Sequence, residues 1–475
     1  MAQRVAIGVD SSTQSTKALA VDIDTGTVLG QGRAAHTVSG GAGRESDPEQ
    51  WWRAFDAAVR QTGWADRAAA VSIAGQQHGL VALDPAGRPV RPALLWNDVR
   101  SAPQAAELGE LFGPKELADR TGSVPTAAFT AAKWAWLRAT EPTAADRVAA
   151  VRLPHDFLTE RLTGAAVTDR GDASGTGWWG PHGYDQDILD RIGLDAALLP
   201  QVLAPGAAAG TVRPGLALPE GTPVATGTGD NMAAAVGLGL TPGRPVVSLG
   251  TSGTVYAVGR TRPVDPSGTV AGFADALGRW LPLACTLNCT LAVDRFAALL
   301  GRDRAEVESG GTAVVLPYLD GERTPNLPAA SGLVHGLRQD TTPGQLLQAA
   351  YDGAAHALLT ALDDVLRAGG EQGAADEPLL LIGGGARGRA WQQTVLRLSG
   401  RAVQVPVAEE LVALGAAAQA AALVTAEPAD AVARRWGTAA GPVLAPVARD
   451  ESTLERITDT LRRAGALQGA PAQER

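Results

Sequence analysis

Residues 5–22 read VAIGVDSSTQSTKALAVD, and residues 245–258 read PVVSLGTSGTVYAV. Each stretch has the pattern of a strand, a turn rich in Gly, Ser and Thr, and a second strand. Such a turn presents backbone N–H groups and hydroxyls in a small volume, which is typical of a phosphate-binding loop. Either stretch alone is also compatible with a surface hairpin. Their recurrence in the two halves of the chain favours two similar lobes that close on one polyphosphate.

Length, charge and cysteine content narrow the class of protein. A chain of 475 residues is too long for one hydrophobic core, so two large lobes or about three domains are expected. The net charge of −9 disfavours a broad basic surface for nucleic acid. Cys285 and Cys289 lack partners at metal-ligand spacing and suit small core positions in a reducing compartment. No signal peptide precedes the first strand, and no apolar run approaches the ~20 residues that a membrane helix needs. We therefore expect a cytoplasmic protein without nucleic-acid or membrane partners, and the sequence leaves a homodimer open.

The boundary between the lobes is predicted at Pro242-Gly243-Arg244-Pro245, just before the second Ser/Thr-rich stretch. The expected division is an N-terminal lobe over residues 1–241 and a C-terminal lobe over residues 242–475. The final residues, from about Gly465, are small and polar and are expected to fray.

A Gly-Thr-Gly turn at residues 227–229 leads into Asp230 and an Ala-rich helical run. The helix dipole at such a position stabilises the ionised form of a carboxyl group. An ionised carboxylate can accept the proton of a hydroxyl that attacks phosphorus, which makes Asp230 the candidate general base. Asp is also a favoured N-cap residue, so a structural role explains the same position.

Polar residues also follow the first strand and the apolar strand at residues 69–73. Asp10 ends the first strand, where a carboxylate can hold Mg2+ or simply start a turn. Lys17 stands at a strand edge, where a cation can meet phosphate or be solvated. Gln77 and His78 follow the second of these strands, and amide and imidazole groups can bind a polyol without adding net charge. The alternative for His78 is a histidine satisfied within the core.

Residues 383–388, GGGARG, contain the pattern G-x-G-x-x-G. After a strand and before a helix, with Glu409 and Glu410 following a later strand, this pattern is typical of a dinucleotide-binding turn. A dehydrogenase is therefore an alternative interpretation. However, the pattern comes late in the chain and leaves both Ser/Thr-rich turns unexplained, and a Gly-rich turn equally lets the backbone approach an adenosine. The sequence has no G-x-x-x-x-G-K-[ST] motif, which excludes a P-loop enzyme.

Taken together and in this order, the motifs resemble those of the FGGY carbohydrate kinases, which belong to the actin and hexokinase superfamily. The matching segments are Asp10-Ser-Ser-Thr13, Gly227-Thr-Gly-Asp230-Asn231, Ser248-Leu-Gly-Thr-Ser-Gly-Thr254, Gly321-Glu-Arg-Thr-Pro325 and Gly383-Gly-Gly-Ala-Arg387. The resemblance runs from the first strand to about residue 425. It implies an α/β fold with two ribonuclease-H-like lobes around a central cleft, and a sugar kinase that uses ATP and Mg2+. The lobe over residues 1–241 would bind the sugar, and the lobe over residues 242–475 would bind the nucleotide.

The resemblance also implies roles for individual residues. Asp230 would activate the sugar hydroxyl, and Asp10 would lie near Mg2+. The sugar would be bound by a set of polar and aromatic side chains: Gln77, His78, Trp96, Asp98 and Asn231. The nucleotide would be approached by residues of the glycine-rich and Ser/Thr-rich turns: Asp10, Ser12, Thr13, Lys17, Gly250, Thr251, Ser252, Gly253, Thr254, Gly383, Gly384, Gly385, Ala386 and Arg387.

Within the family, Gly75-Gln-Gln-His-Gly79 and Leu95-Trp-Asn-Asp98 are most similar to the motifs of members that phosphorylate D-xylulose. This similarity implies conversion of D-xylulose to D-xylulose 5-phosphate. Glycerol kinases carry Arg and Glu in the first of these loops, whereas gluconate kinases also place a His there and are the nearer alternative. L-ribulose as substrate and a non-catalytic sugar sensor on the same fold stay open. In two places the chain departs from the family pattern: Ser12 replaces a common Gly, and residues 130–137 match only in part.

Overall fold

The computed structural model describes residues 3–40, 43–371, 377–465 and 467. The chain forms two units. Unit 1 consists of Met1–Leu240, Arg262–Leu281 and Ala408–Ala439, and unit 2 of Thr241–Thr261, Pro282–Val407 and Ala440–Arg475. The chain first passes from unit 1 to unit 2 between Leu240 and Thr241, and two later segments return to unit 1. The tail that we expect to fray lies outside the described residues, apart from Gly465 and Leu467.

Strands and helices alternate along most of the chain. The strands are β1 (Val5–Ser11), β2 (Ser15–Asp22), β3 (Val28–Ala35), β4 (Glu45–Ser46), β5 (Ala68–Gly75), β6 (Val81–Leu83), β7 (Ala93–Leu94), β8 (Ala150–Arg152), β9 (Val167–Thr168), β10 (Trp179–Gly180), β11 (Gly183–Tyr184), β12 (Gln201–Val202), β13 (Ala208–Thr211), β14 (Pro223–Ala225), β15 (Thr228–Gly229), β16 (Val246–Leu249), β17 (Gly253–Tyr256), β18 (Ala271–Ala274), β19 (Trp280–Thr286), β20 (Val314–Leu316), β21 (Leu333–His335), β22 (Leu379–Ile382), β23 (Val403–Gln404) and β24 (Val443–Leu444). The helices are α1 (Pro48–Gln61), α2 (Ala102–Phe112), α3 (Pro114–Thr121), α4 (Thr130–Thr140), α5 (Pro142–Ala145), α6 (Pro154–Thr163), α7 (Arg170–Ala173), α8 (Gln186–Ile192), α9 (Asp230–Gly237), α10 (Thr290–Leu299), α11 (Pro343–Ala368), α12 (Arg389–Ser399), α13 (Leu411–Thr425), α14 (Ala429–Trp436) and α15 (Glu451–Arg463).

The main sheet of unit 1 has the strand order β13-β14-β5-β1-β2-β3, and β15 also pairs with β5. Strands β1, β2 and β3 form an antiparallel meander. Strand β5 runs parallel to β1, β14 runs parallel to β5, and the edge strand β13 is antiparallel. The strand–turn–strand pattern predicted at residues 5–22 is thus the first hairpin of this sheet.

The same topology recurs in unit 2, along the strand order β19-β17-β16-β22-β23-β24. Here β16, β17 and β19 form the antiparallel meander. Strands β22 and β23 continue in parallel, and β24 is antiparallel. Both sheets therefore have the ribonuclease-H-like arrangement, and the predicted α/β fold with two such lobes is confirmed.

Strand β1 is the centre of the unit 1 core and is buried along its whole length. A strand covered on both faces is apolar at nearly every position, as this one is. Val5, Ile7 and Val9 pack with helix α1, whose buried residues include Trp51 and Phe55. The intervening Gly8 meets α13, and a Cβ atom at Gly8 would collide with the α13 backbone. This contact explains why the late segment that carries α13 belongs to unit 1.

Helix α11 covers the corresponding hairpin of unit 2. It begins with a capping box, in which Thr342 Oγ1 accepts from the Gln345 N–H at 3.2 Å and the Gln345 side chain accepts from the Thr342 N–H at 3.2 Å. Its residue Leu358 packs so closely on β17 that a Cβ atom at Gly253 would lie 2.5 Å from its methyl group. Within the described residues, no single helix is long and apolar enough to cross a membrane; α13 and α14 pass that test only as a pair, bent by 110°.

Candidate active site

Strands β1, β5 and β15 run parallel and end at the same edge of the unit 1 sheet. Ser11 on β1 is level with Gly75 on β5, and Gly229 on β15 is level with the same residue. Functional groups of α/β proteins collect at this carboxyl edge, because the loops that leave the strands meet there. The structure therefore brings together predicted site residues that are far apart in sequence: Asp10, Ser12, Gln77, His78, Asp230 and Asn231.

Asp230 is the first residue of α9, and Gly229 takes the N-cap position. The Asp230 Oδ1 atom accepts hydrogen bonds from the Asn231 backbone N–H at 2.8 Å and from the Asn231 amide at 3.0 Å. Burial raises the pKa of Asp230 to about 6, although these hydrogen bonds act in the opposite direction. A carboxylate with this pKa is mostly ionised at neutral pH and can still accept a proton.

Two amide side chains, Gln77 from the loop after β5 and Asn231 from α9, meet beside Asp230. Asn231 Nδ2 donates to Gln77 Oε1 at 2.9 Å. The Gln77 Nε2 atom is buried and has no hydrogen-bond partner within the described part of the chain, and the same holds for both amide atoms of Gln76. Buried polar atoms without protein partners are uncommon and point to a polar ligand. Sugar hydroxyls, which both donate and accept, fit such atoms.

His78 is held in an unusual backbone conformation, with φ at 65°. A positive φ is uncommon for a residue with a side chain and clusters at functional sites. The His78 Nδ1 donates to the Gly175 carbonyl at 2.6 Å, and the ring packs against Phe129 and Phe273 at centroid distances of 4.9 and 5.6 Å. Because the carbonyl can only accept, Nδ1 carries a proton. These contacts fix the ring beside Gln77, and sugar binding by His78 stays a prediction.

The first Ser/Thr-rich turn is closed by its own polar groups and by Trp96. Ser12 donates to the Ser15 carbonyl from its backbone N at 3.1 Å and from its hydroxyl at 2.9 Å. Thr13 Oγ1 accepts from the Trp96 indole N–H at 3.1 Å. Trp96 is still 40% exposed, so one face of its ring remains accessible beside the turn.

Lys17 lies on β2, directly opposite Asp10 in the strand register. Its ammonium group forms an ion pair with Glu410 at 2.5 Å. Glu410 is the N-cap residue of α13 and has a φ of 54°. The two side chains keep 25% and 33% of their surface exposed, so the pair stands at the edge of the site and not in its core.

Asp10 is the deeply buried carboxylate of the site, with 5% of its surface exposed. Burial raises its pKa to about 7; Asp230 and Glu410 add to this effect, and Lys17 opposes it. Its Oδ1 atom has no hydrogen-bond partner within the described residues. A divalent cation fits this donor, because it would supply the missing partner and favour the ionised carboxylate.

Asp98 has both carboxylate oxygens engaged within the protein. It accepts from the Arg44 backbone N–H at 2.9 Å and from the Arg100 side chain, whose Nε lies 3.0 Å from each oxygen. These hydrogen bonds, led by those of Arg100, outweigh burial and lower the pKa of Asp98. Asp98 thus joins the turn after Trp96 to Arg44, and sugar binding by Asp98 stays a prediction.

In unit 2, two glycine-containing turns follow the parallel neighbours β16 and β22. The first turn is tight: the Gly250 N–H donates to the Ser252 carbonyl at 3.1 Å. The turn proper is therefore residues 250–252, whereas Gly253 and Thr254 are the first residues of β17.

The second turn lies against the end of β16. The Gly385 N–H donates to the Leu249 carbonyl at 2.9 Å. Gly383 has a φ of 87°, and a Cβ atom there would lie 2.7 Å from the Leu249 oxygen, so this position requires glycine. Gly384 has open space around it, and Arg387 is exposed. The two predicted nucleotide turns are thus adjacent within unit 2.

Comparison with known proteins assigns the chain to a family. The model of the FGGY family of carbohydrate kinases, N-terminal domain, matches residues 5–237, and that of the C-terminal domain matches residues 246–424. The chain belongs to the FGGY family of carbohydrate kinases. The predicted kinase class is therefore confirmed, and a dehydrogenase is not favoured.

Members of the FGGY family that are similar to the chain include two xylulose kinases from Streptomyces. The chain is 69% identical over 467 residues to the xylulose kinase of Streptomyces coelicolor, with 97% of the chain and 96% of that protein covered. It is 68% identical to the xylulose kinase of Streptomyces rubiginosus, with the same coverage. The crystal structure of xylulose kinase from Bifidobacterium adolescentis matches with a TM-score of 0.84 at 34% identity, covering 97% of this chain and 100% of that one.

Two features of this FGGY chain are not visible in the sequence alone. The sequence pattern presents Glu410 only as a ribose-binding acid, whereas it pairs with Lys17, 393 positions earlier in the chain. Gly175, whose carbonyl orients His78, carries no signal at all. For Glu410 the available hint is that two acidic residues, Glu409 and Glu410, stand directly before an Ala-rich helical run. Acidic residues are favoured at helix N-termini.

Proposed function

We propose that this chain transfers the γ-phosphoryl group of ATP to the terminal hydroxyl of D-xylulose, giving D-xylulose 5-phosphate and ADP. Family membership supports a sugar kinase, and the high identity to two xylulose kinases supports the ketose. The observation that carries the proposal is the Asp230 carboxylate beside the Asn231–Gln77 amide pair, with O···N distances of 2.8 to 3.0 Å. A proton acceptor next to polar atoms that lack protein partners is what phosphorylation of a polyol requires.

Asp230 acts as the general base in this proposal. It accepts the hydroxyl proton as the sugar oxygen attacks the γ-phosphorus, and the bond to the ADP oxygen breaks. The amide of Asn231 holds Oδ1 of the base, so the carboxylate keeps its orientation during the transfer. The free amide nitrogen of Gln77, both amide atoms of Gln76 and the ring of His78 would bind the remaining sugar hydroxyls.

Asp10 would hold Mg2+, and this role rests on its buried oxygen without a partner. When bound, the cation neutralises charge that develops on the transferred phosphoryl group. Among the described residues there is no group of three or more His, Cys, Asp and Glu side chains that could hold a metal ion. Phosphate and water oxygens would therefore complete its ligand set, as is common for Mg2+.

The glycine-containing turns of unit 2 would bind ATP. The backbone of residues 250–252 would face the phosphates, and residues 383–387 would lie along the adenosine. Open space at Gly384 supports a close approach of the nucleotide to the backbone. We place the reaction in the cytoplasm, where ATP is available and where the unbridged Cys285 and Cys289 would stay reduced.

A substrate panel tests the proposal. The purified chain is assayed for ADP release with ATP, Mg2+ and, in turn, D-xylulose, L-ribulose, D-gluconate and glycerol. D-Xylulose should give the highest kcat/KM, with product phosphorylated at the 5-position. A higher kcat/KM for gluconate, glycerol or L-ribulose would contradict the assignment of the ketose, and no turnover with any of the four would favour a sugar sensor.

A further inference from the structure

A cluster of one histidine and three carboxylates is buried directly behind the proposed sugar site, and nothing in the reaction described above uses it. We call it the His155 cluster; its members are His155, Asp156, Asp169 and Asp172. Their exposed fractions are 0%, 0%, 6% and 0%. His155 Nδ1 lies 2.7 Å from Asp172 Oδ2, and its Nε2 lies 3.3 Å from Asp156 and 3.9 Å from Asp169.

The charges of the His155 cluster are mutually dependent. Burial disfavours the charged ring, but the three carboxylates outweigh it and raise the pKa of His155 to about 9. For Asp172 the effect of burial has the opposite sign: it raises the pKa of this carboxyl group to about 7. A buried ionic cluster is a poor source of stability compared with apolar side chains of the same volume. Stability therefore does not explain why the cluster lies behind the sugar site. Its contacts with neighbouring residues of that site offer a better explanation.

One contact leads from the His155 cluster to the base. The hydroxyl of Thr228 donates to Asp169 Oδ2 at 2.7 Å. The other Asp169 oxygen accepts from the Asp172 backbone N–H at 2.9 Å, so Asp169 is fixed from both sides. Thr228 is fully buried on β15, two residues before Asp230. This hydrogen bond therefore ties β15, which leads into Asp230, to the His155 cluster.

Asp172 of the cluster and Gln77 of the sugar site both lie next to Gly229. A Cβ atom at Gly229 would lie 2.6 Å from Gln77 Cγ and 3.2 Å from Asp172 Oδ1, so the two side chains flank the same glycine. Gly75, which precedes the two glutamines, similarly rests on His155, with a Cβ distance of 3.0 Å. Asp172 Oδ1 has no hydrogen-bond partner among the described residues.

The turn that follows α7 makes the third contact. It carries Gly175, whose carbonyl accepts from His78. Upstream in the same turn, Ser174 Oγ donates to the Gly171 carbonyl at 2.6 Å, which keeps the turn closed on Asp172. Thr228, Gly229 and Gly175 thus lie between the His155 cluster and three residues of the proposed sugar site: Asp230, Gln77 and His78.

We propose that the His155 cluster sets the position of the sugar site, with Asp169 positioning Asp230 through Thr228 and with Asp172 positioning Gln77. None of the four cluster residues touches substrate in this proposal, so they are positioning residues. The inference rests on the proposed function, because it concerns the geometry of the same base and amide.

A pair of variants at Thr228 tests the link to the base. Thr228→Val keeps the shape of the side chain and removes the hydroxyl, whereas Thr228→Ser keeps the hydroxyl and removes a methyl group. We expect Thr228→Val to lower kcat about 10-fold or more, since small displacements of a reacting group cost large factors in rate. Thr228→Ser should retain kcat within about 2-fold, although it loses packing. Equal losses in both variants, or a parent-like kcat in Thr228→Val, would overturn the link.

A variant of Asp172 tests the link to Gln77 and does not depend on Thr228→Val being folded. Asp172→Asn preserves size and should raise KM for the sugar about 10-fold more than it changes kcat, with the dissociation constant for ATP unchanged. An unaltered KM, or a parallel loss of ATP affinity, would overturn this link. All variants are compared with the parent on whichever sugar the parent prefers. Failure of the parent with D-xylulose would thus count against the proposed function, and parent-like variants against the positioning role.

Discussion

Asp230 and Asp10 are two carboxylates at one sheet edge for which we propose different roles. Asp230 touches the Asn231 amide, whereas Asp10 has an oxygen that lacks a partner among the described residues and lies under the influence of Lys17. The pKa of each is raised by burial, to about 6 and about 7 respectively. A cation on Asp10 would lower the pKa of Asp10 again. Of these two carboxylates, Asp230 would then be the one that titrates near neutrality.

The raised pKa of Asp230 gives a pH dependence with a definite sign. A general base works only when deprotonated, so kcat should fall as the pH drops below about 6 and level off above it. The measurement is kcat for D-xylulose at saturating ATP, Mg2+ and sugar from pH 5 to pH 9. A kcat that stays flat through this range, or that rises towards acid pH, would contradict the assignment.

At the scale of the elements, the 383–388 turn makes a prediction about nucleotide binding. A Cβ atom added at Gly384 would meet no other atom within 4 Å, so Gly384→Ala should not lower the unfolding temperature. If the nucleotide lies against this backbone, the added methyl group should weaken ATP binding about 10-fold or more. Calorimetric titration with ATP measures this. Parent-like affinity in a folded Gly384→Ala would place the nucleotide elsewhere.

The packing of α13 makes a prediction about stability. A Cβ atom at Gly415 would collide with the Ala233 carbonyl of α9, so Gly415→Ala should destabilise the chain by about 1–3 kcal/mol. The matched control is Gly109 in α2, where a Cβ atom meets nothing within 4 Å. Gly109→Ala should stabilise by roughly 0.4–1 kcal/mol. Denaturant unfolding of both variants distinguishes the two effects, and equal shifts would mean that α13 does not pack closely on α9.

At the scale of the whole molecule, the fold could be predicted because its determining pattern is local and occurs twice. A strand, a short polar turn and a second strand are visible in sequence at residues 5–22 and 245–258. Six strands of each of the two sheets that grow from them follow the same order. The return of residues 408–439 to unit 1 could not be predicted, because it depends on the close fit of α13 against Gly8.

The candidate site was predictable to the extent that its residues stand at the ends of strands. Asp10, Gln77 and Asp230 each follow an apolar run, so parallel pairing brings them together. Other contacts around the site join residues that are far apart in sequence, and no local sequence pattern indicates them. Lys17 with Glu410, His78 with Gly175 and Thr228 with Asp169 are of this kind. Asp98, by contrast, has a local partner in Arg100 that occupies its carboxylate.

The central claim, that Asp230 is the base of a D-xylulose kinase, is tested most directly by Asp230→Asn. Asn preserves the shape of the side chain but cannot accept the hydroxyl proton. The matched control, Asp187→Asn, removes an exposed carboxylate from the first turn of α8. The account predicts that Asp230→Asn lowers kcat for D-xylulose by roughly 10²–10⁴-fold, while its unfolding temperature and ATP affinity stay close to those of the parent and the control keeps full activity. Phosphorylation of D-xylulose by Asp230→Asn at close to the parent rate would contradict it.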